Sequence, residues 1–334
     1  MGYGSGVDIT SNDNTAVGYN AAKYTSSGQY NVAMGSSALY TNTTASNNTA
    51  VGNNALYNST TASNNTAVGY NAGQNLTTGY LNVAIGSGAL VAATTSSENV
   101  AVGQGAGQSI TTQGQNTLIG RDAGDAATGD ANTIVGYKGG SFQANLTSGS
   151  GNTLIGAYND TTSASAVHAM CLGYNLDAAA GYTTLGYSGT DIRAAHGSTT
   201  WSTVSDERYK KDIVDSTAGL AFINALQPRT FKYKNLGELP ETFNAYEADS
   251  TEVFKSSQTQ HGFIAQEVKA AIDADDSIKD GFKLWDDRDD GSQEVAESAL
   301  IPILVKALQE LSAKNDALST KNDALEARIT ALES

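Results

Sequence analysis

Over the first two hundred residues, apolar and polar positions alternate in short stretches that recur at a fixed distance. Each stretch begins with Asn, which is followed by Thr or Val, usually Ala, an apolar residue and Gly. An Ala often occurs three residues after the Gly. In seven copies the glycines are 17 residues apart, at Gly18, Gly35, Gly52, Gly69, Gly86, Gly103 and Gly120. Later copies drift to steps of 16, 20, 17 and 13 residues, at Gly136, Gly156, Gly173 and Gly186. A fixed period of this length indicates a repeat architecture, and drift is typical of terminal repeats.

Each copy predicts one short β-strand. Ala16 and Gly18 alternate with Thr15 and Val17, and such alternation with β-branched residues is the strand pattern. Clusters of Thr, Ser, Asn and Gly between the copies favour turns, and small residues at fixed places let backbones approach closely. The sequence therefore predicts a mostly β fold, a β-solenoid (β-roll or β-helix) with one coil per repeat of about 17 residues, over residues 1–204.

The predicted coil contains few large apolar side chains, so its core is thin. We expect burial between chains to supplement that core, in a trimeric solenoid. Low-complexity disorder is the alternative for a chain so rich in Ser, Thr, Asn and Gly. The strict register of seven copies favours the solenoid.

The repeat phrase resembles the head repeats of trimeric autotransporter adhesins and the shafts of phage tail fibres, over residues 14–186. This resemblance implies a homotrimer. A bacterial trimeric surface adhesin is therefore an alternative to a phage fibre.

Tyrosines that follow repeat glycines are expected to form a ladder on one face of the solenoid: Tyr19, Tyr70, Tyr137, Tyr174 and Tyr187. Such ladders bind sugar rings, although packing between coils is the favoured role here. A polysaccharide-degrading tailspike, a further alternative, would need paired carboxylates. The only close acidic group is Asp122, Asp125 and Asp130, which fits a solvated loop.

The composition changes at Val204. Residues 1–204 carry nine acidic and four basic side chains, whereas residues 205–334 carry 25 and 15, within a total net charge of -15. Neither part offers a basic face for a phosphate backbone, so nucleic acid is excluded as an expected partner. Cys171 lies in an apolar stretch and is expected to be a small buried side chain.

No basic N-terminal segment is followed by an apolar run, and the longest apolar stretch, residues 299–308, is too short to cross a bilayer. We therefore expect assembly in a host cytoplasm without membrane insertion, and we expect no cofactor and no metal site.

Residues 205–298 are predicted to form a small α+β domain. Asp215 or Ser216 is expected to cap a helix that ends at Pro228, followed by a strand over residues 230–233. A glycine turn and a second helix are predicted over residues 261–272, and a hairpin over residues 281–297.

Residues 299–334 are predicted to form a coiled coil. One core position holds Leu304, Leu311, Leu318, Leu325 and Leu332, and the other holds Ile301, Leu308, Asn315, Asn322 and Ile329. Two core asparagines lower stability but favour one register and one oligomeric state. These heptads suit the alignment of identical chains, and by themselves they do not exclude a dimer.

Three motifs occur in order after Val204: SDERYK from Ser205, GFIAQEV at 262–268 and LIPILVKALQEL at 300–311. Together they resemble the intramolecular chaperone domain of phage endosialidase tailspikes. That resemblance implies trimerisation of the preceding fibre and a serine–lysine dyad that cuts the chain just before the serine. The matching residues are Ser205 and Lys210, which places the cut between Val204 and Ser205.

The implied chemistry is reasonable for these residues. A serine hydroxyl needs a base to remove its proton, and a lysine can act as that base if burial disfavours its charged form. Lys210 is the predicted base, with Lys211 as the alternative. On an extended strand residues 205 and 210 would face opposite sides, so the dyad needs a bend or a partner chain. His261 and Glu267, in the second motif, are possible supporting residues.

These observations predict a phage tail fibre segment in the virion, used for host attachment. Its C-terminal chaperone would drive homotrimerisation and then act as a single-turnover autocatalytic serine endopeptidase. The expected external partner is a host cell-surface receptor, with a glycan as one candidate.

Overall fold

A computed structural model describes residues 3–6, 13–142, 146–279 and 282–333 of the chain. The chain divides into two compact units, of which the first ends at Tyr209 and the second begins at Lys210. The sequence analysis puts the domain boundary five residues earlier, before Ser205, at the predicted cut.

The first unit is a β-solenoid of about ten turns, as predicted. Its first nine strands have three residues each and belong to successive repeats: β1 (Thr15–Val17), β2 (Val32–Met34), β3 (Thr49–Val51), β4 (Thr66–Val68), β5 (Val83–Ile85), β6 (Val100–Val102), β7 (Thr117–Ile119), β8 (Thr133–Val135) and β9 (Thr153–Ile155). The remaining strands are β10 (Asp160–Thr161), β11 (Met170–Tyr174), β12 (Asp177–Ala178), β13 (Tyr182–Tyr187), β14 (Ile192–Ala195) and β15 (Ser202–Thr203).

Thirteen of these strands form one sheet in the order β1 to β9, β11, β13, β14 and β15, while β10 pairs with β12. All pairs from β1 to β13 are parallel and in register, so that Ala33 lies beside Ala50 and Ala50 beside Ala67. The last two pairs, β13 with β14 and β14 with β15, are antiparallel. The solenoid therefore ends in an antiparallel meander.

The core of the solenoid is thin and closed within one chain. Its central strand residues point inward and are fully buried small side chains in most coils, such as Ala50 and Ala67, with Leu118 and Ile134 farther along. Cys171 occupies the same inward position, and burial, followed by the charges of Asp160 and Asp177, raises the pKa of its thiol to about 12. The buried role expected for Cys171 is confirmed.

The repeat glycines stack in line from coil to coil. At Gly18 and Gly69 φ is +132° and +138°, a region that residues with a Cβ rarely adopt. A Cβ on Gly69 would lie 2.6 Å from the carbonyl oxygen of Gly86, and one on Gly18 would lie 2.5 Å from that of Gly35. These positions require glycine for two reasons, the backbone conformation and the approach of the next coil.

The asparagines that open each repeat form a buried ladder. Asn82 Nδ2 donates to Asn65 Oδ1 at 3.1 Å and to the Ser96 carbonyl at 2.8 Å, and Asn82 Oδ1 accepts from the Asn99 backbone N–H at 3.1 Å. Asn82 is 1 % exposed. Each asparagine thus satisfies backbone groups of its own coil and of the next, which is what a buried amide requires.

The second unit has a small α+β core, as predicted. Its elements are α1 (Leu220–Ala225), β16 (Arg229–Phe231), β17 (Gln260–Gly262), α2 (Ala265–Asp273), β18 (Trp285–Asp287), β19 (Gln293–Val295) and α3 (Ile301–Glu333). Short 3-10 helices span Leu236–Glu238 and Glu297–Leu300. Strands β16 and β17 pair, and β18 and β19 form the predicted hairpin. The core joins Phe222, Val268, Leu284, Leu300 and Ile303.

The predicted start of the first helix is wrong. Helix α1 begins at Leu220, and Gly219 rather than Asp215 or Ser216 precedes it. The Leu220 N–H donates to the Glu310 carboxylate on α3 at 2.9 Å. A carboxylate 90 residues away therefore supplies the acceptor that a local cap residue was expected to provide.

Helix α3 presents two apolar faces. Ile303 and Ala307 are buried against the core of their own unit. The predicted heptad leucines point elsewhere, and Leu308, Leu311 and Leu318 are more than half exposed in the single chain. No helix among the described residues has the length and apolarity that a bilayer span requires.

Candidate functional site

The predicted scissile bond follows the last strand of the solenoid. Strand β15 ends at Thr203, Val204 and Ser205 are exposed, and a 3-10 helix follows at Glu207–Tyr209. This helix bends the chain between residues 205 and 210.

Asp206 organises that bend. Its Oδ1 accepts from the Arg208 backbone N–H and from Arg208 Nε, both at 2.9 Å, and its Oδ2 accepts from Arg208 Nη2 at 2.7 Å. The Tyr209 N–H donates to the Asp206 carbonyl at 3.1 Å. The hydrogen bonds that Arg208 donates to the Asp206 carboxylate raise the pKa of Arg208. The residues just after the predicted cut thus form a local turn held by a two-pronged ion pair.

The residues just before the cut are held by β14. In the antiparallel register Ser202 lies opposite Arg193 and Thr203 opposite Ile192. Two side chains add to this pairing: Ser202 Oγ donates to the Arg193 carbonyl at 3.1 Å, and Thr203 Oγ1 donates to the Asp191 carbonyl at 3.2 Å. The sequence analysis did not identify this anchor, because a pair of hydroxyl residues in a Ser- and Thr-rich chain carries no distinguishing signal.

A polar cavity of about 450 Å³ adjoins these residues in the first unit. Its lining includes Val204 and Tyr209 together with Asp177, Asp191 and Arg193. Partial burial, followed by the charges of Asp160 and Asp191, raises the pKa of Asp177. The Arg193 guanidinium lies 5.5 Å from the ring centroid of Tyr182 on β13. The cavity is therefore lined by two carboxylates and by a guanidinium that lies against an aromatic ring.

The predicted site residues fall in both units. Val204 and Ser205 belong to the first unit, while Lys210, His261 and Glu267 belong to the second. Lys210 and Lys211 are exposed in the single chain. The pairing of Ser205 with Lys210 stays a prediction.

The two supporting candidates lie close together in the second unit but have different surroundings. His261 is on β17 opposite Thr230, and its side chain is exposed. Glu267 on α2 binds Arg229, which donates from Nε at 2.9 Å and from Nη2 at 2.7 Å. This hydrogen bond lowers the pKa of Glu267 and raises that of Arg229. Glu267 therefore ties α2 to β16, which is a structural role whether or not it also supports catalysis.

Only some of the tyrosines expected in the ladder contact one another. Tyr174 stacks on Tyr187 with ring centroids 5.4 Å apart, but Tyr137 reaches Tyr174 only through Tyr158. A separate column, Tyr24, Tyr40 and Tyr57, was not predicted because its members follow a different repeat position. Among the acids discussed above, Asp122 pairs with Arg121 at 3.3 Å and Asp130 accepts from the Gly114 N–H at 2.7 Å.

Comparison with protein families identifies the region after the solenoid. Residues 205–276 match a peptidase family model described as chaperone of endosialidase. No curated protein and no solved structure matches the chain significantly. The matched residues are therefore similar to the chaperone-of-endosialidase family, which the family model describes as peptidases. The match covers about a fifth of the chain and does not extend into the repeats.

Proposed function

We propose that this protein is a trimeric phage tail fibre whose C-terminal chaperone aligns three chains and then cuts itself off between Val204 and Ser205. The observation that carries the proposal is the position of the family match. It begins at Ser205, two residues after the last strand of the solenoid. A cut there would separate the folded fibre from the chaperone domain.

The outer face of the solenoid supports a trimer. The third strand residues form one apolar column on that face: Val17, Met34, Val51, Val68, Ile85, Val102, Ile119, Val135, Ile155, Leu172 and Leu185. Its members are half-buried or exposed, up to 53 % at Leu172. With strands spaced about 4.8 Å apart, the column is about 50 Å long. An apolar surface of this length is typical of an interface between chains.

The exposed face of α3 supports the same assembly. Its heptad leucines are exposed in the single chain, whereas Ile303 packs in the core of the unit. Three such helices in register would bury the leucines and place Asn315 and Asn322 in the shared core. Alignment at this end would lower the barrier to in-register pairing of the solenoids, which is slow for contacts between distant residues and prone to error.

The proposed chemistry is one intramolecular peptide cleavage. Lys210, in its neutral form, takes the Ser205 hydroxyl proton, and Oγ adds to the Val204 carbonyl carbon. The bond from that carbon to the Ser205 nitrogen then breaks, and the nitrogen takes a proton to become a free amine. Water hydrolyses the resulting ester to the Val204 carboxylate and the Ser205 hydroxyl. Because the reacting groups are neighbours in one chain, a weak nucleophile suffices for one turnover.

The proposed base, Lys210, needs desolvated surroundings to act. Lys210 is exposed, and a lysine becomes a base near neutral pH only when its charged form is disfavoured. Burial of Lys210 by a second copy would supply this effect. We therefore expect cleavage to require the trimer.

Mass spectrometry of the purified protein tests the proposal. The wild type should yield a fragment beginning at Ser205, while Ser205→Ala and Lys210→Ala should stay whole and trimeric. Lys211→Ala is the matched control and should still be cut. Equal fragment release from wild type and Ser205→Ala would refute the proposed dyad. A wild-type trimer that stays intact would refute self-cleavage but not the proposed chaperone role.

The proposed location is the virion, the proposed role is host attachment, and the proposed partner is a surface receptor, with a glycan as one candidate. The exposed tyrosines Tyr174 and Tyr187 favour a glycan contact. A bacterial adhesin is disfavoured by the chaperone match.

A further inference from the structure

We propose that the polar cavity at the end of the solenoid is a binding pocket for one uncharged sugar residue of a host-surface glycan. The inference rests on the proposed host-attachment role and assigns the ligand of that role to a particular site. Nine of the ten residues that line the cavity precede the proposed cut, so the pocket belongs to the part of the chain that would stay on the virion.

The cavity lies where the chain departs from the repeat. Strand β13 pairs in parallel with β11, whereas β14 pairs with β13 in the antiparallel direction. Residues 1–204 carry only nine acidic and four basic side chains, and three of these, Asp177, Asp191 and Arg193, line this one cavity. Its volume of about 450 Å³ is within the range of small-molecule sites, about 300–1,000 Å³. Departures of this kind from a regular pattern are expected at functional sites.

Unsatisfied polar atoms at the same place indicate a ligand. Among the described residues, three buried side-chain atoms have no hydrogen-bond partner, and two of them, Asn175 Oδ1 and Thr184 Oγ1, are at this end of the solenoid. Asn175 lines the cavity. Thr184 is 1 % exposed and lies directly opposite Arg193, and side chains of directly opposite residues project from the same face of a sheet. Because buried polar groups are normally hydrogen-bonded, these two atoms mark a place for a polar ligand.

The charges of the wall define the class of ligand. The carboxylates of Asp177 and Asp191 only accept hydrogen bonds, whereas the guanidinium of Arg193 only donates them, so the ligand must supply both donors and acceptors. Two carboxylates disfavour an anionic sugar, and the guanidinium disfavours a cation. No group of three or more acidic, histidine or cysteine side chains among the described residues could hold a metal ion. The hydroxyls of an uncharged sugar each donate and accept, and they therefore fit this wall.

An aromatic surface is next to the cavity. Tyr174 and Tyr187 end β11 and β13 in register, and they immediately precede the lining residues Asn175 and Ser188. The two rings stack with centroids 5.4 Å apart, and Tyr187 is 63 % exposed. The apolar face of a sugar ring packs on an exposed aromatic ring while its hydroxyls bind polar groups at the edge. The two surfaces together therefore match the two kinds of surface on a sugar.

The test is binding of the purified full chain to an array of neutral and sialylated cell-surface glycans, followed by calorimetric titration with the strongest neutral binder. Asp191→Asn keeps the shape of the side chain and removes its charge and one acceptor, so we expect the affinity to fall by about tenfold. Asp125→Asn, which changes an acid of the same solenoid outside the cavity, is the matched control and should bind as the wild type does.

A second measurement does not depend on how the variants fold. Carboxyl groups of the wild type are coupled to glycinamide with a carbodiimide and mapped by mass spectrometry. The bound glycan should reduce coupling at Asp177 and Asp191 and leave Asp125 unchanged. The pocket would be overturned by the absence of any neutral binder, by binding confined to sialylated glycans, by equal affinities for wild type and Asp191→Asn, or by protection at other carboxyl groups only.

These outcomes are distinguishable from failure of the proposed function. A chain that binds a neutral glycan at Asp191 but is never cut would refute self-cleavage and support the pocket. A cut trimer that binds no neutral glycan would refute the pocket and leave the proposed chaperone and its cleavage standing.

Discussion

The two units of this chain differ in the size and polarity of the side chains that they bury. The solenoid buries alanines, glycines and a ladder of asparagines, and its largest fully buried side chains are leucines and isoleucines scattered among the coils. The second unit buries Phe222, Leu284 and Ile303 in a compact apolar core. Hydrogen bonds and close backbone contacts therefore define the fold of the solenoid, whereas apolar packing defines the fold of the second unit.

This difference suits the proposed division of labour between the two units. Each coil of the solenoid contacts only its neighbours, so a coil paired in the wrong register satisfies most of the same groups. The second unit has a compact apolar core and one exposed heptad face. Under the proposed function it would fold first and define which residues of three chains lie side by side. The following predictions, made in the Ser205→Ala background so that the chain stays whole, test this contrast.

The largest effect is expected at the glycine column. In Gly69→Ala the added Cβ would overlap the Gly86 carbonyl and force an unfavourable φ, so we expect a loss of more than about 5 kcal/mol and no regular solenoid. Gly189→Ala, where nothing lies within 4 Å of the new Cβ, is the control and should melt as the parent does. Circular dichroism with heating measures both, and similar melting curves would show that the column tolerates side chains.

The asparagine ladder should give the next largest effect. Asn82→Ala leaves the Asn99 N–H and the Ser96 carbonyl without their buried partner, which should lower the free energy of unfolding by about 4 kcal/mol. Asn53→Ala, on the exposed side of a coil, should change it by less than about 0.5 kcal/mol. Denaturant titrations that give the same midpoint for both variants would contradict the proposed source of specificity.

The two faces of α3 should separate folding from assembly. Ile303→Ala removes packing inside the second unit and should destabilise it by about 3 kcal/mol. Leu318→Asp should leave that core intact but make the trimer dissociate, because Leu318 is exposed in the single chain. Sedimentation distinguishes the two, and a trimer that survives Leu318→Asp would remove the heptads from the interface.

The smallest effect is expected at the β18–β19 turn. Hydrogen bonds from Ser292 and the Asn244 N–H, with the nearby charge of Arg288, lower the pKa of Asp290 to about 2. A carboxyl whose folded pKa lies below its unfolded value of about 3.9 stabilises the fold above that value and loses this contribution as pH falls through about 2. Asp290→Asn should therefore reduce the dependence of the free energy of unfolding on pH at acidic pH. Trp285 fluorescence in a Trp201→Phe background measures this dependence. An unchanged profile would contradict this role.

Much of the solenoid was predictable from sequence, because its contacts repeat along the chain. The spacing of Gly35, Gly52 and Gly69 predicts both the strands and the in-line stacking that the structure shows. The ladder role of Asn82 was not identified, since an asparagine at a strand start also suits a turn.

Contacts between distant residues were harder to predict. The true start of α1 depends on Glu310, which no local pattern indicates. The anchor of β15 depends on a change from parallel to antiparallel pairing at β14, and the repeat pattern has faded by that point.

The 17-residue register also has a consequence for how such a protein evolves. Since a coil contacts only the coils beside it, inserting or deleting one whole repeat preserves every kind of contact and changes the length by about 4.8 Å. The length of the solenoid can then change in discrete steps of one repeat. A change by any other number of residues must be absorbed outside the strands, as in the 20-residue step between Gly136 and Gly156, where the strands β8 and β9 still pair in register.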